Sequence, residues 1–255
     1  MAAHVAQTGS SLVGALTLPA WDCSTLRRKI GQWGWRDSLR YAVSKAPLPS
    51  ADRSVRNPYL QDELRKNGRV LRSLYEVGHL FSFPVEIVPH FNADRSLEKL
   101  QEWSPDLIIF TGGGILREPL LKIPRIGVLN AHLARLPDIR GMSSPEWSLL
   151  RDVPLCITIH FMDRGIDTGP IVLCRRFEPP ENCGSLTDLR NRMIAQGIEW
   201  MGEAIQGIRS GDLIPKVQSD GGEDTQYFVM HERLKALASE RVNRSKRLME
   251  SQCRE

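Results

Sequence analysis

The sequence predicts an α/β fold with an open, mostly parallel sheet and helices on both of its faces. Two observations support this class. Short runs of apolar residues recur along the chain, as at 106–110 and 126–130, and stretches with the 3.6-residue period of a helix separate them. Apolar strands without polar alternation are typical of parallel sheets that are covered on both faces. The sequence contains no internal repeat and no low-complexity segment.

The predicted elements follow one another in a regular order. A short buried strand at 12–18 precedes a helix at 24–45, and a loop marked by Pro47 and Pro49 leads to a helix at 57–77. Further strands are expected at 85–88, 106–110, 126–130, 156–160 and 171–174. Further helices are expected at 94–102, 115–122, 145–151, 187–208 and 233–255. The 255 residues suffice for one sizeable domain, or for a domain with a modest appendage.

Composition narrows the class of protein. The net charge of +4 suits a small anionic ligand, but it is not the concentrated basic stripe expected of a nucleic-acid-binding protein. The five cysteines are odd in number and never form a C-x-x-C pair, which argues against a disulfide framework and against a zinc site. No apolar stretch approaches the length of a membrane span, and the start of the sequence has no secretory signal. We therefore expect a cytoplasmic protein without a metal and without a membrane partner.

The predicted helix at 24–45 allows two interpretations. Its basic residues are interleaved with Trp33 and Trp35, a composition that could contact RNA or lie on a membrane. Alternatively, it is a surface helix with its aromatic side packed inward. Gly31 and Gly34 interrupt a long amphipathic face, and this favours the surface helix.

Polar residues follow three of the predicted strands. The strand ending at Phe110 leads into Thr111-Gly-Gly-Gly114, and the strand 126–130 leads into Asn130 and His132. The strand 156–160 leads into the loop 163–169. Ligands of open α/β sheets bind beyond the carboxyl ends of the strands. The three strand ends therefore predict one site. The glycine run lacks the G-x-G-x-x-G pattern with a later acidic residue, so we do not expect a dinucleotide there.

The order of residues around this site is specific. Asn130-Ala-His132 ends a strand and is followed by Leu136-Pro137 and Arg140-Gly141. The pattern Thr158-Ile-His160 then precedes Asp167-Thr-Gly169. From about residue 84 to residue 177, this pattern resembles the signature of the folate-dependent formyltransferase family. A looser similarity continues through 215–218 and 227–231.

The resemblance implies a Rossmann-like fold and transfer of a formyl group from 10-formyltetrahydrofolate to an amine. By position, Asn130 would bind the oxyanion, His132 would stabilise it and transfer a proton, and Asp167 would relay the proton. Backbone groups would hold the pterin, and by position they belong to Gly114, Ile115, Leu116, Asp163, Gly165 and Ile166. The expected substrate-binding residues on the acceptor side are Arg135, Pro137, Arg140 and Gly141.

The chemistry of formyl transfer fits these residue types independently. An amine attacks an amide-like carbonyl, and negative charge develops on the carbonyl oxygen. An Asn side-chain N–H and a His are suitable donors to that oxygen. A carboxylate beside the His can take up the proton that the amine loses, and it can raise the pKa of the His.

The sequence also departs from the family pattern. The family commonly has serine and then leucine after the histidine, where this chain has Ala134 and Arg135. Arg135 either faces the acceptor and favours an anionic one, or is a solvated loop residue. The usual first strand–turn–helix unit is not recognisable before Leu12. We therefore expect an N-terminally short catalytic domain at 1–210 with an unpaired middle of the sheet, and a C-terminal extension at 211–255.

Three functions remain open from the sequence. The first is formylation of a small-molecule amine such as glycinamide ribonucleotide or an amino sugar. Methionyl-tRNA is a less favoured acceptor, because we expect the residues after Gly211 to be too few for a tRNA-binding barrel. The second is a catalytically impaired folate-binding relative or fragment. The third is an RNA-associated protein, which no RNA-binding motif supports.

Overall fold

The computed structural model describes residues 1–7, 9–19, 57–60, 65–66, 69–71, 73–112, 114–219 and 226–252. The predicted helix at 24–45 and the loop around Pro47 and Pro49 lie outside these residues. The described strands are β1 (Ala15–Thr17), β2 (Arg65–Lys66), β3 (Arg69–Val70), β4 (Val85–Ile87), β5 (Leu107–Phe110), β6 (Gly127–His132), β7 (Arg140–Gly141), β8 (Cys156–Phe161), β9 (Ile171–Arg176) and β10 (Gln226–Tyr227). The helices are α1 (Ala2–Gln7), α2 (Leu74–Leu80), α3 (Asp94–Trp103), α4 (Glu118–Leu121), α5 (Ser144–Leu150), α6 (Leu186–Ser210) and α7 (Glu232–Gln252), with a 3-10 turn at Pro58–Leu60.

The main sheet has four strands in the order β5-β6-β8-β9, which confirms the predicted open α/β class. Parallel pairing holds between β5 and β6 and between β1 and β4. In contrast, β8 runs antiparallel to both β6 and β9. The connection 162–170 between β8 and β9 is shorter than the crossover of about a dozen residues that a parallel pair needs. The sheet is therefore parallel on one side and antiparallel on the other.

Helices cover both faces of the main sheet, as predicted. On one face, Leu129 of β6 and Ile157 of β8 pack in a cluster with Met193 and Met201 of α6. On the other face, Val128 of β6 packs in a cluster with residues of α3 and α4. Leu129 and Val128 are neighbours in sequence, and successive side chains of a strand point to opposite faces. The apolar residues of β6 therefore contribute side chains to the hydrophobic clusters on both faces of the sheet.

The long helix α6 has clear signals at both of its ends. The Ser185 hydroxyl accepts a hydrogen bond from the Asp188 N–H at 3.0 Å, which satisfies one of the free donors of the first turn. Gly211 ends the helix with a φ of 81°, a left-handed conformation that glycine adopts without strain. These signals fix the point at which the chain turns back toward the sheet.

The predicted helix at 57–77 is wrong. The described part of this segment contains the 3-10 turn, the antiparallel pair β2–β3 and only the first residues of α2. In the sequence, Asn67-Gly68 separates the two short strands, and Asn-Gly is a preferred pair for a two-residue hairpin. The helix α2 begins at Leu74, where the Ser73 hydroxyl accepts the Glu76 N–H at 3.2 Å. The structure also adds α1 in a segment without a recognisable sequence pattern.

The β1–β4 pair does not join the main sheet within the described residues. The strand order leaves β1 at the edge of one sheet and β5 at the edge of the other. A cavity of about 500 Å³ is lined by residues of both strands, including Leu16 of β1 and Ile108 of β5. The unpaired middle of the sheet stays a prediction, because residues 20–56 lie outside the described part of the chain. None of the described helices is long and apolar enough to cross a membrane.

Candidate active site

The register of β6 against β8 brings the candidate residues together. Asn130 and His132 lie two residues apart in β6, so their side chains share one face of the sheet. In the antiparallel ladder, Asn130 is paired with His160 and His132 is paired with Thr158. The Asn130 Nδ2 lies 3.3 Å from His160 Nε2. The predicted site residues at the end of β6 therefore lie beside polar residues of β8 on the same face of the sheet.

His132 is buried, and both of its ring nitrogens face protein atoms. Its Nε2 lies 2.8 Å from the Ile139 carbonyl oxygen, which only accepts, so Nε2 carries a hydrogen. Its Nδ1 lies 3.4 Å from Asp167 Oδ2. Burial lowers the pKa of His132; the charge of Asp167 opposes this shift, and the nearby His160 adds to it. The neutral ring is therefore favoured, with the Nδ1 lone pair turned toward the carboxylate.

Asp167 is the centre of the cluster. Its Oδ2 accepts the Gly141 N–H at 2.7 Å, and its Oδ1 lies 3.5 Å from His160 Nε2. Burial alone would raise the pKa of Asp167, but contacts with His160, His132 and the Gly141 N–H hold the pKa below its usual range. Asp167 also has a φ of 54°, which is uncommon for a residue with a side chain. The carboxylate is thus an ionised acceptor between two imidazoles.

His160 is a site residue that the sequence interpretation treated only as part of the strand. Its Nδ1 donates to the Phe161 carbonyl oxygen at 2.8 Å. Its Nε2 can therefore accept from Asn130 when the ring is neutral, or donate to Asp167 when the ring is protonated. The T-x-H pattern was visible in the sequence, but the pairing of His160 with Asn130 depends on the register of an antiparallel ladder. That register is a non-local property, which no local pattern of residues predicts.

The turn 114–117 is accessible and is held by Asn92. Gly114 has a φ of 110°, and a Cβ built there would meet no atom within 4 Å. Ile115 is 71% exposed, whereas the Leu116 side chain is buried in the core and leaves only backbone to a ligand. The Asn92 side chain donates to the Ile115 carbonyl oxygen at 2.8 Å and accepts the Arg117 N–H at 2.7 Å. The turn is therefore fixed at both of its ends.

The loop 163–167 lies beside this turn. Arg164 forms an ion pair with Glu118, the first residue of α4, and so links the two segments that we predicted to hold the pterin. Asp163, Gly165 and Ile166 are exposed. The Asp163 carboxylate accepts the Gly165 N–H at 3.0 Å and the Thr168 hydroxyl at 2.5 Å, so it shapes its own loop. The two segments present exposed backbone.

The four predicted acceptor-side residues occupy different environments. Arg135 is exposed and pairs with Asp138. Pro137 is half-buried in the following turn. Arg140 points toward Gln218, whose Oε1 accepts from its Nη2 at 3.0 Å, and the buried Arg140 Nε has no hydrogen-bond partner in the described part of the chain. Gly141 supports Asp167 directly through its N–H, so Arg140 and Gly141 also contribute to the framework of the carboxylate.

The predicted C-terminal extension packs against this region. Strand β10 pairs with β7, and the Met142 N–H donates to the Tyr227 carbonyl oxygen at 2.9 Å. The Arg241 side chain of α7 donates to the Leu149 carbonyl oxygen at 2.5 Å. Among the described residues, no group of three or more His, Cys, Asp or Glu side chains is arranged to hold a metal ion.

A half-buried carboxylate between two imidazoles, with a carboxamide beside them, is an arrangement for moving a proton at a polar reaction centre. Residues 88–205 match the model of the formyl transferase family. Over this segment the chain is similar to formyl transferases.

Several known proteins are similar to this chain. The methionyl-tRNA formyltransferase of Pelobacter propionicus is 33% identical over 135 residues, which cover 52% of this chain and 42% of that protein. The methionyl-tRNA formyltransferase of Trichlorobacter lovleyi is 34% identical over 141 residues, which cover 54% and 44%. The crystal structure of the formyltransferase PseJ from Anoxybacillus kamchatkensis has 26% identity and a TM-score of 0.47, covering 59% of this chain and 77% of that one. The matched region thus spans less than half the length of the two curated relatives.

Proposed function

We propose that this protein is an enzyme that transfers a formyl group from 10-formyltetrahydrofolate to the primary amine of a small molecule. The observation that carries the proposal is the contact between His132 and Asp167, with Asn130 on the same strand, inside the segment that matches the formyl transferase family. We assign the catalytic domain to residues 1–210 and regard 211–255 as an extension packed on it.

The accessible backbone of two segments fits a folate. A pterin ring needs donors and acceptors at a turn that it can approach closely, and Gly114 leaves open space there. The exposed Ile115 offers an apolar contact next to that backbone, and the Arg164–Glu118 ion pair holds the loop 163–167 alongside. When bound, the folate supplies the activated formyl carbon. We propose that Gly114, Ile115, Leu116, Asp163, Gly165 and Ile166 form its binding surface.

Asn130 is suited to stabilising the oxyanion. The amine nitrogen attacks the formyl carbon, the carbonyl oxygen gains negative charge, the amine loses a proton, and the bond to the folate nitrogen breaks as that nitrogen gains a proton. The Asn130 Nδ2 makes only a 3.3 Å contact with His160 Nε2, which can be exchanged for a bond to the oxyanion. A positioned donor of this kind contributes about 10²–10³ in rate.

His132 and Asp167 together are suited to taking up the amine's proton. With Nε2–H bound to Ile139, the neutral His132 turns a lone pair toward an ionised carboxylate at 3.4 Å. Two acceptors that face one another attract a proton, because a shared hydrogen relieves their repulsion. Burial lowers the pKa of His132, and the charge of Asp167 opposes that shift, so the carboxylate is what favours a proton on the pair. On this basis, His132 receives the proton and Asp167 stabilises the imidazolium.

The candidate activities differ in the molecule that accepts the formyl group. Arg135 and Arg140 lie on the segment that follows His132, and we propose that they and Pro137 face a small anionic amine. Transfer to methionyl-tRNA is the second candidate, because the two curated relatives described above carry that name. A folate-binding relative without activity is the third, since the β1–β4 pair does not join the main sheet among the residues that the structure describes.

The test is an assay of tetrahydrofolate release from 10-formyltetrahydrofolate. The wild type is compared with His132→Ala and Asp167→Asn, using glycinamide ribonucleotide, an amino-sugar nucleotide and initiator methionyl-tRNA as acceptors. Release with a small amine, lost in both variants, supports the proposal. Release with methionyl-tRNA alone would show that the acceptor is methionyl-tRNA and not a small molecule. Binding of tetrahydrofolate without transfer to any of these acceptors would favour the third candidate, a folate-binding relative without activity. The proposed activity would then be withdrawn.

A further inference from the structure

A side chain from the segment after α6 reaches the centre of the site. After Gly211, the chain forms an antiparallel bridge in which the Lys216 N–H donates to the Ile171 carbonyl oxygen and the Ile171 N–H donates to Lys216, both at 2.8 Å. This bridge fixes the segment against the start of β9. Residues 214–217 and Ser219 are exposed, and Gln218 alone in this run is half-buried. The bridge therefore turns Gln218 inward.

Gln218 uses its whole carboxamide to bind the two segments around Asp167. Its Nε2 donates to the Asp167 carbonyl oxygen at 2.9 Å and to the Gly169 carbonyl oxygen at 2.7 Å. Its Oε1 accepts from Arg140 Nη2 at 3.0 Å. One amide nitrogen has two hydrogens, so both of its donor positions are filled. No other side-chain type of this size offers two donors and an acceptor in one plane.

These contacts hold both partners of one hydrogen bond. The Asp167 carboxylate accepts the Gly141 N–H at 2.7 Å. Gln218 binds the carbonyl oxygen of Asp167 and the side chain of Arg140, which precedes Gly141. Asp167 has a left-handed φ of 54°, so its backbone depends on such contacts to keep this conformation. The position of the carboxylate relative to His132 follows from that backbone.

We propose that Gln218 is a positioning residue that sets the Asp167 carboxylate against Gly141 and His132. Its effect on catalysis rests on the function proposed above, but its effect on geometry does not. Gln218 touches no reacting atom in this assignment and acts through the Asp167 backbone.

The experiment compares the wild type with Gln218→Ala and Gln218→Glu in the full chain. The glutamate variant keeps the size of the side chain and the acceptor for Arg140, but it cannot donate to the two carbonyl oxygens. Val217→Ala is the matched control, since the neighbouring Val217 side chain is 86% exposed. Hydrogen exchange is measured by NMR at the Gly141 amide, and the Ile157 amide in β8 reports on the whole fold. Steady-state kcat and KM for 10-formyltetrahydrofolate are measured in parallel.

In both Gln218 variants we expect exchange at Gly141 to accelerate by about tenfold, with Ile157 and the Val217→Ala control unchanged. We expect kcat to fall by about tenfold to a hundredfold at an unchanged KM, because Asp167 acts after binding. Wild-type exchange at Gly141 in both variants would overturn the inference, and so would equal acceleration at Gly141 and Ile157. If the wild type transfers no formyl group, the proposed function fails, and the exchange at Gly141 still decides the role of Gln218.

Discussion

Asn130 and His160 face each other across the antiparallel β6–β8 pair, with Asn130 Nδ2 3.3 Å from His160 Nε2. The contact joins a residue that the sequence predicts to be catalytic to one that it does not. His160 Nδ1 donates to the Phe161 carbonyl oxygen, which leaves Nε2 to face both the Asn130 carboxamide at 3.3 Å and Asp167 Oδ1 at 3.5 Å. A histidine of the neighbouring strand is therefore in contact with both the carboxamide and the carboxylate of the site.

The first prediction concerns this pair. Asn130→Ala is expected to lower kcat for formyl transfer by about 10²–10³, because it removes the proposed donor to the oxyanion. Asn130→Asp should be at least as poor, since a carboxylate repels the developing charge. The measurement is steady-state kinetics, with thermal unfolding as the check on folding. Gln196→Ala, a half-buried amide on α6, is the control and should leave kcat unchanged. Full activity of Asn130→Ala would remove Asn130 from the mechanism.

The second prediction concerns Gly141. This residue has a φ of 89°, and a Cβ built there would lie 2.2 Å from the Tyr227 carbonyl oxygen. Gly141→Ala should therefore break the β7–β10 pair and the hydrogen bond to Asp167, and lower the free energy of unfolding by about 3 kcal/mol or more. Gly211→Ala is the matched control, because its φ is 81° but nothing lies within 4 Å of the added Cβ. There we expect a loss of about 1 kcal/mol by urea denaturation. Equal losses in the two variants would contradict the prediction.

Part of this arrangement was predictable from the sequence and part was not. The strand 126–130 and its exit residues Asn130 and His132 were predicted, because a continuous apolar run ending in polar residues is a local signal. The contribution of His160 depends on the register of β8 against β6, which is a non-local property. The role of Gln218 is still harder to predict, since it depends on the bridge between Lys216 and Ile171 and on contacts with Asp167, Gly169 and Arg140, which are all distant in sequence. The antiparallel pair β2–β3 replaces part of the helix that the sequence predicts at 57–77, although Asn67-Gly68 is a local signal for two short strands.

The third prediction is a pH dependence of stability that comes from His132. Burial lowers the pKa of His132 in the folded protein below the ordinary value of 6.5. The unfolded chain therefore binds a proton at this residue before the folded protein does. Stability from this source is complete above the unfolded pKa, and it falls as the pH decreases toward the folded pKa, by at most about 1.4 kcal/mol per pH unit.

The free energy of unfolding of the wild type should thus fall between pH 7.5 and pH 5.5, and the fall should be smaller in His132→Gln. Urea denaturation at several pH values measures it. His79→Gln, at an exposed histidine of α2, is the control and should keep the wild-type slope. An identical slope in the wild type and His132→Gln would show that His132 does not contribute.

The fourth prediction separates the folate turn from the reaction centre. Asn92 lies outside the Asn130–His132–Asp167 cluster, and it fixes the turn through the Ile115 carbonyl oxygen at 2.8 Å and the Arg117 N–H at 2.7 Å. Asn92→Ala removes both contacts, and each hydrogen bond of this kind contributes about 1 kcal/mol. We expect the Kd for tetrahydrofolate to rise by about tenfold or more in calorimetric titration, since the backbone that we propose to bind it is no longer preorganised.

The variant Asn92→Asp tests which of the two Asn92 contacts is required. Aspartate keeps an oxygen for the Arg117 N–H but loses the donor to Ile115 and places a negative charge beside a carbonyl oxygen. Its affinity should therefore resemble that of Asn92→Ala rather than that of the wild type. Hydrogen exchange at the Gly141 amide should stay at the wild-type rate in both variants, because Gly141 binds the Asp167 carboxylate and is not held by Asn92. An unchanged Kd in both variants would place folate binding elsewhere, and accelerated exchange at Gly141 would mean that the turn and the carboxylate are not independent.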